Sequence, residues 1–177
     1  YTGGTNINAG ILKVGSATAL GTGATTVGTN LLTTVAALDL NGQTMTSTGD
    51  LTLYGTGINS SGALMNSSPT GATYAGLVKL GAASSIMGDT GTIALSNAGT
   101  HGGTTNYALT LGGAAGGSVA GILGISISAL TKQNAGTWTL NGVNTFANTT
   151  PITISAGTLV IGGAGSLSSG NYSGGIA

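Results

Sequence analysis

Residues 130–162 read LTKQNAGTWTLNGVNTFANTTPITISAGTLVIG, and this stretch decides the fold. Trp138 and Leu140 fall on one side of an extended segment, and Thr137 and Thr139 fall on the other. Alternation of apolar and polar residues is the pattern of a strand with one buried face. Asn-Gly and Ala-Gly pairs bound the segments, and such pairs are typical of tight turns. The stretch therefore predicts short strands joined by turns.

The opening of the chain repeats the second half of this stretch. Residues 7–12 (INAGIL) superpose on residues 154–159 (ISAGTL), and the correspondence continues through the glycines and leucines that follow. We place the two halves of the repeat at residues 1–23 and 130–170. An internal repeat indicates a stacked or arrayed architecture.

The composition favours strands and turns over helices. The 177 residues include 35 glycines, and 40% of the chain is hydrophobic. Disordered chains are poor in hydrophobic residues, so the low charge does not indicate disorder here. Gly, Thr, Asn and Ser are poor helix formers but suit short strands and corners.

The charge balance excludes several classes of partner. Only 3% of the residues are charged, three basic and three acidic, and the formal net charge is zero. Nucleic-acid binding needs a basic face that neutralises phosphates, which three lysines do not provide. The longest apolar run is too short to span a membrane, so we expect no membrane insertion by this segment. Because the chain has no cysteine, disulfides and thiolate metal sites are excluded.

Other parts of the chain show the same alternation. Residues 118–130 (SVAGILGISISAL) predict a buried strand, with Ile125 and Ile127 facing the core and Ser126 on the opposite face. Residues 38–57 predict two or three short strands separated by Asn-Gly and Gly-Asp turns.

Stacked coils of roughly twenty residues explain these features best. Small aliphatic residues would fill the narrow interior, and Thr and Ser would face water. The predicted fold is all-β, a right-handed parallel β-solenoid (β-helix) of short Gly/Thr-rich rungs. We expect one solenoid segment over residues 1–177 without evident caps.

The same residues carry a family resemblance. The sequence resembles the autotransporter-associated β-strand repeat, and the residues that match its pattern are Leu130–Lys132, Ala135–Leu140, Asn144–Phe146 and Ala156–Leu159. The sequence departs from the pattern at residues 147–152 (ANTTPI), where the family has TGGTT, a form that residues 1–5 nearly keep. The resemblance implies a parallel β-helical passenger of a bacterial protein that is extracellular or on the cell surface. Many such passengers are adhesins.

Side chains capable of catalysis are few. We predict no catalytic, cofactor-binding or metal-ligating residues. His101, the only histidine, is expected in a surface loop, and Asp50 and Asp89 are expected in turns. Three aspartates and no glutamate leave little material for a paired-carboxylate glycosidase. Trp138 is expected in the core.

These observations predict a non-enzymatic structural or adhesive module, a stiff rod for adhesion or surface display. The alternative is a subunit of a homopolymeric extracellular fibre assembled head to tail. A β-helical polysaccharide-active enzyme and an ice-binding protein are disfavoured. The expected partners are identical or adjacent solenoid segments end to end, and surface glycans or matrix; no cofactor and no nucleic acid is expected.

Overall fold

The structure, a computed structural model, describes residues 1–31, 35–46 and 48–177. These residues form short strands and two 3₁₀ turns, Ile58–Ser60 and Ser168–Gly170. Neither helical turn in the described part of the chain is long and apolar enough to cross a membrane. The strands are β1 (Thr5–Ile7), β2 (Gly10–Lys13), β3 (Thr25–Val27), β4 (Ala36–Asp39), β5 (Thr44–Met45), β6 (Leu51–Gly55), β7 (Leu64–Asn66), β8 (Ala72–Tyr74), β9 (Val78–Gly88), β10 (Ile93–Leu95), β11 (Thr100–His101), β12 (Tyr107–Gly112), β13 (Gly116–Val119), β14 (Ile122–Leu123), β15 (Ile127–Lys132), β16 (Thr137–Leu140), β17 (Ile152–Ile154) and β18 (Thr158–Ile161).

The strands stack into a coil with three faces. Face I contains β1, β3, β6, the start of β9, β11 and β14. Face II contains β2, β4, β7, the end of β9, β12, β15 and β17. Face III contains β5, β8, β10, β13, β16 and β18. Every pairing between these strands is parallel, which confirms the predicted parallel β-solenoid; its right-handed sense stays a prediction.

Each coil takes about 20 to 27 residues. On face I, Thr5 pairs with Thr25, Thr25 with Leu51, and Leu51 with Val78. The coils are therefore somewhat longer than predicted. β9 runs without a break around the corner between faces I and II, so ten strands of these two faces belong to one sheet, and β11 and β14 form a separate two-stranded sheet.

Aliphatic side chains form ladders through the interior. One ladder on face II passes through seven successive coils and contains one polar member, Lys132. The ladder is Leu12, Leu38, Leu64, Ile86, Leu111, Lys132 and Ile154. Because six of the seven coils place an apolar residue at this inward position, neighbouring coils bury each other's side chains.

The sequence repeat describes a corner of the coil. Ile7 lies on face I, whereas Ile154, which superposes on it in sequence, lies on face II. Gly10 and Gly157 also superpose, and both have a positive φ, 81° and 72° respectively. A left-handed conformation of this kind is accessible to glycine at little cost. The repeat therefore encodes a strand, a glycine corner and a second strand, and this unit serves at two different corners.

Residues 118–130 do not form the single strand that the sequence predicts. They cross three strands, β13, β14 and the start of β15. The register of β12 and β15 shifts by one residue at Ser128, since Tyr107 pairs with Ile127 and Ala108 pairs with Ala129. An extra residue of this kind is a β-bulge.

The predicted faces of this segment are wrong as a result. Ile127 is buried as predicted, but Ile125 is 77% exposed and Ser126 is only 6% exposed. The reason is that the chain turns before β15 and bulges within it, so strict alternation does not hold across the segment.

Residues 166–177 lie across the last coil. The rings of Phe146 and Tyr172 form a T-shaped pair with centroids 6.4 Å apart. The Tyr172 hydroxyl lies 2.8 Å from the carbonyl oxygen of Thr150, to which it donates. Ile176 forms a parallel bridge with Ile152 of β17.

Candidate functional site

An open trough lies on face I among the described residues. Its volume is about 380 Å³. The trough crosses four successive coils, from β6 through β9 and β11 to the segment before β15. Its lining residues are Thr52, Tyr54, Lys79, Leu80, Gly81, Thr100, His101, Gly102, Gly103, Thr104, Gly124, Ile125 and Ser126.

Glycines line this trough and allow close packing along it. A Cβ atom at Gly103 would lie 2.6 Å from the carbonyl oxygen of Leu80, and one at Gly124 would lie 2.6 Å from the Thr100 methyl group. A Cβ atom at Gly81 would overlap the ring of Tyr54. Glycine at these positions therefore lets groups of the neighbouring coils pack directly against the backbone along the trough.

Tyr54 forms one wall of the trough. Its half-buried ring lies against the backbone of Gly81, which fixes the ring along the surface. The hydroxyls of Tyr54, Thr52, Thr100 and Thr104 have no hydrogen-bond partner in the described part of the chain. Such a wall offers an apolar ring surface beside free donors and acceptors.

A surface ion pair flanks the trough. The ammonium of Lys79 contacts the Asp50 carboxylate, and the two side chains are 47% and 38% exposed. Thr52 pairs with Lys79 in the sheet, so both side chains project outward beside each other. The pair presents a donor and an acceptor together without adding net charge.

His101 lies beneath the trough, not in a surface loop as predicted. The side chain is only 3% exposed. Its Nδ1 accepts a hydrogen bond from the backbone N–H of Val78 at 3.1 Å, and its Nε2 lies 3.2 Å from the carbonyl oxygen of Asn97. These partners assign the proton of a neutral ring to Nε2. The ring thereby joins two successive coils.

Burial lowers the pKa of His101 from its ordinary value of 6.5, and the Asn97 carbonyl partly opposes this change. Both nitrogens of the ring are occupied by backbone groups. A catalytic histidine needs a free nitrogen directed at a nucleophile or substrate. His101 is therefore a structural residue in this geometry.

A second polar cluster lies on face II, around the buried Asp39. Asp39 Oδ1 accepts backbone N–H groups of Asn41 at 2.9 Å and Ser67 at 3.1 Å, and Oδ2 accepts the Ser67 hydroxyl at 2.6 Å. Lys13 Nζ donates to Ser67 Oγ at 3.0 Å and lies 3.7 Å from Asp39 Oδ2. Three coils contribute to this cluster.

Serine, lysine and aspartate together invite comparison with a nucleophilic hydrolase. A lysine acts as a base when it is buried away from carboxylates and neutral. Lys13 has the opposite setting, since its side chain is 54% exposed and lies beside Asp39. The cluster ties the corner after β4 to the coils on both sides.

Lys132 is the buried cation of the described residues, with 0% exposure. Its Nζ donates to the carbonyl oxygens of Gln133 at 2.8 Å, Asn134 at 2.7 Å and Ala156 at 3.0 Å. Burial lowers the pKa of Lys132. The side chain leaves the aliphatic ladder and closes the corner of its own coil onto the next coil.

Two further candidate residues from the sequence are Trp138 and Asp89. Trp138 is buried as predicted, and its Nε1–H donates to the carbonyl oxygen of Gly112 at 2.9 Å. Burial raises the pKa of Asp89. Among residues 1–31, 35–46 and 48–177, no group of three or more His, Cys, Asp or Glu side chains could hold a metal ion.

Sequence reasoning missed the trough. The signal is present as glycines at positions 81, 103 and 124, but these residues belong to three different coils. Only the register of the coils shows that the glycines lie side by side near Tyr54.

Comparison with known proteins agrees with the repeat pattern. The family model described as the passenger-associated-transport-repeat matches residues 1–14 and 130–161. No curated protein and no solved structure matches the chain significantly. The two matched ranges lie within the two halves of the repeat and include the glycine corners at Gly10 and Gly157. In those two ranges, the chain carries the repeat of autotransporter passengers that its sequence pattern predicts.

Proposed function

We propose that this chain is a non-enzymatic structural and adhesive module of a bacterial extracellular or cell-surface protein. The observation that carries the proposal is the stack of parallel ladders on three faces. Because each coil is hydrogen-bonded to the coils above and below it, the module is stiff along its axis. The passenger repeat supports a secreted or surface-exposed setting.

Solution scattering combined with adhesion measurements tests the proposal. Solution scattering should give an axial length of about 34 Å, because seven coils stack at about 4.8 Å per coil. Beads coated with the chain should adhere to matrix proteins or glycans, and the chain should release no sugars from a panel of polysaccharides. Turnover of any polysaccharide, or the absence of adhesion to all of the tested matrix proteins and glycans, would overturn the proposal.

Head-to-tail assembly is a second candidate function. Among residues 1–31, 35–46 and 48–177, the strands β1, β2 and β18 each pair on one side only. Unpaired strand edges of this kind can template further strands. Asn6 and Ile161 are exposed on these two edges, so the double variant Asn6→Lys, Ile161→Lys places like charges at both ends.

Light scattering and negative-stain imaging compare that variant with the unmodified chain at equal concentrations. Rods formed by the unmodified chain and reduced in the double-lysine variant would support this second candidate. An unmodified chain that stays monomeric at high concentration would remove it.

A further inference from the structure

We propose that the trough on face I binds a neutral oligosaccharide. This inference rests on the proposed adhesive function and assigns that function to one site. The trough crosses four coils, which at about 4.8 Å between neighbouring coils gives a width of about 14 Å. A groove of this size suits an oligosaccharide better than a single sugar ring.

The chemistry of the lining matches a sugar. A pyranose ring has an apolar C–H face and a periphery of hydroxyls. The Tyr54 ring supplies an apolar wall held in place by Gly81. The hydroxyls of Thr52, Thr100 and Thr104, which have no hydrogen-bond partner among the described residues, supply donors and acceptors along the same trough.

Charge decides between neutral and anionic sugars. Among the described residues, Lys79 is the one that brings an ammonium to the trough, and this ammonium is already paired with Asp50. An anionic ligand would compete with this carboxylate, whereas sugar hydroxyls can bond to both members of the pair. The zero net charge of the chain adds no long-range attraction for an anion.

The exposed rim supports an occupant with apolar surface. Ile125 is 77% exposed at the edge of the trough. Removing such an aliphatic side chain from water is favourable. A sugar stacked in the trough would cover part of it.

A peptide strand is a poorer match for this place. β6 is paired with β3 on one side and with β9 on the other, so it has no free backbone edge for an added strand. A peptide would have to bind through side chains alone, without the main-chain hydrogen bonds that give strand addition its affinity.

An oligosaccharide array tests the proposal. The array carries neutral hexose and N-acetylhexosamine oligomers together with sulfated oligomers as the anionic arm. The neutral oligomer with the strongest signal is then titrated into the chain. Tyr54→Leu should weaken binding about tenfold or more, and Thr52→Val should weaken it several-fold.

Matched variants outside the trough serve as controls. Tyr1→Leu removes an exposed ring near the amino end, and Thr139→Val removes an outward hydroxyl on face III. Neither should change the affinity. Emission of the buried Trp138 verifies that each variant is folded, and Tyr54→Phe, which keeps the ring, should retain most of the binding.

Three results would overturn the trough proposal. One is binding of sulfated oligomers only, a second is neutral binding that Tyr54→Leu and Thr52→Val leave unchanged, and a third is adhesion of the chain to proteins without binding to any sugar. The third result would leave the proposed adhesive function standing. Hydrolysis of a bound oligosaccharide would instead overturn the proposed non-enzymatic function.

Discussion

Replacing Lys132 with methionine tests how the solenoid closes its corners. Methionine keeps the length of the side chain in the face II ladder but removes the ammonium that bonds to three carbonyl oxygens at 2.7–3.0 Å. A hydrogen bond to a charged group contributes about 1.5–3 kcal/mol, so the gross loss is about 5–9 kcal/mol. Removing a buried ammonium also relieves a desolvation cost of several kcal/mol. We expect Lys132→Met to lower the free energy of unfolding by about 2–4 kcal/mol.

Urea unfolding followed by tryptophan fluorescence measures this change. Trp138 is the only tryptophan, is fully buried, and pairs with Leu159 in the coil that Lys132 contacts. The matched control is Lys79→Met, which removes an exposed ion pair and should cost at most about 1 kcal/mol. A Lys132→Met chain as stable as the Lys79→Met chain would refute the reasoning, because the three carbonyls would then need no cation.

Three further predictions concern the coil and its corners. Ser126→Asp places a carboxylate at a 6% exposed position and should lower the free energy of unfolding by about 2–4 kcal/mol in chemical denaturation. The control Ser128→Asp, on the exposed bulge, should change it by less than about 0.5 kcal/mol. Equal denaturation midpoints for the two variants would show that the faces are misassigned. Burial lowers the pKa of His101 in the folded chain, so the unfolded chain binds the proton more tightly. The free energy of unfolding should therefore fall as the pH drops from the ordinary pKa of 6.5 towards the lowered pKa of the folded chain. Titration of stability for His101→Gln should lack this component, and identical pH profiles for the two chains would contradict it. Gly157→Ala forces a side chain into φ 72° and within 2.7 Å of Lys132 Nζ. Calorimetry should therefore show a decrease of about 1–3 kcal/mol in the free energy of unfolding. An unchanged melting temperature would refute the need for glycine at this corner.

Local pattern determined much of the fold. Trp138 and Leu140 are buried and Thr137 is exposed, as their alternation predicts. The turns at residues 41–42 and 49–50 separate β4, β5 and β6 as predicted. In each case neighbouring residues carry the information, since strand alternation has a period of two and turns depend on glycine and asparagine.

The prediction failed where a coil bends or bulges. Ser126 is buried because its hydroxyl accepts the backbone N–H of Gly103 at 2.7 Å, and Gly103 belongs to the preceding coil. His101 is buried because Val78, also in a preceding coil, supplies its hydrogen-bond donor. Polarity alone placed both residues at the surface, since the sequence does not show that a backbone partner lies one coil away.

The sequence by itself determined the all-β class, the stacked repeat and the shortage of catalytic side chains. Composition, alternation and the repeated glycine corner are local properties of the chain, so they can be recognised without knowing which coils are neighbours. Only the tertiary structure decided which face each strand occupies and which coils are adjacent. Coil lengths vary between about 20 and 27 residues, so the stacking register cannot be counted from the repeat. That register brings Tyr54, Lys79 and three distant glycines into one trough, because side chains on parallel stacked coils meet across coils and not along the chain.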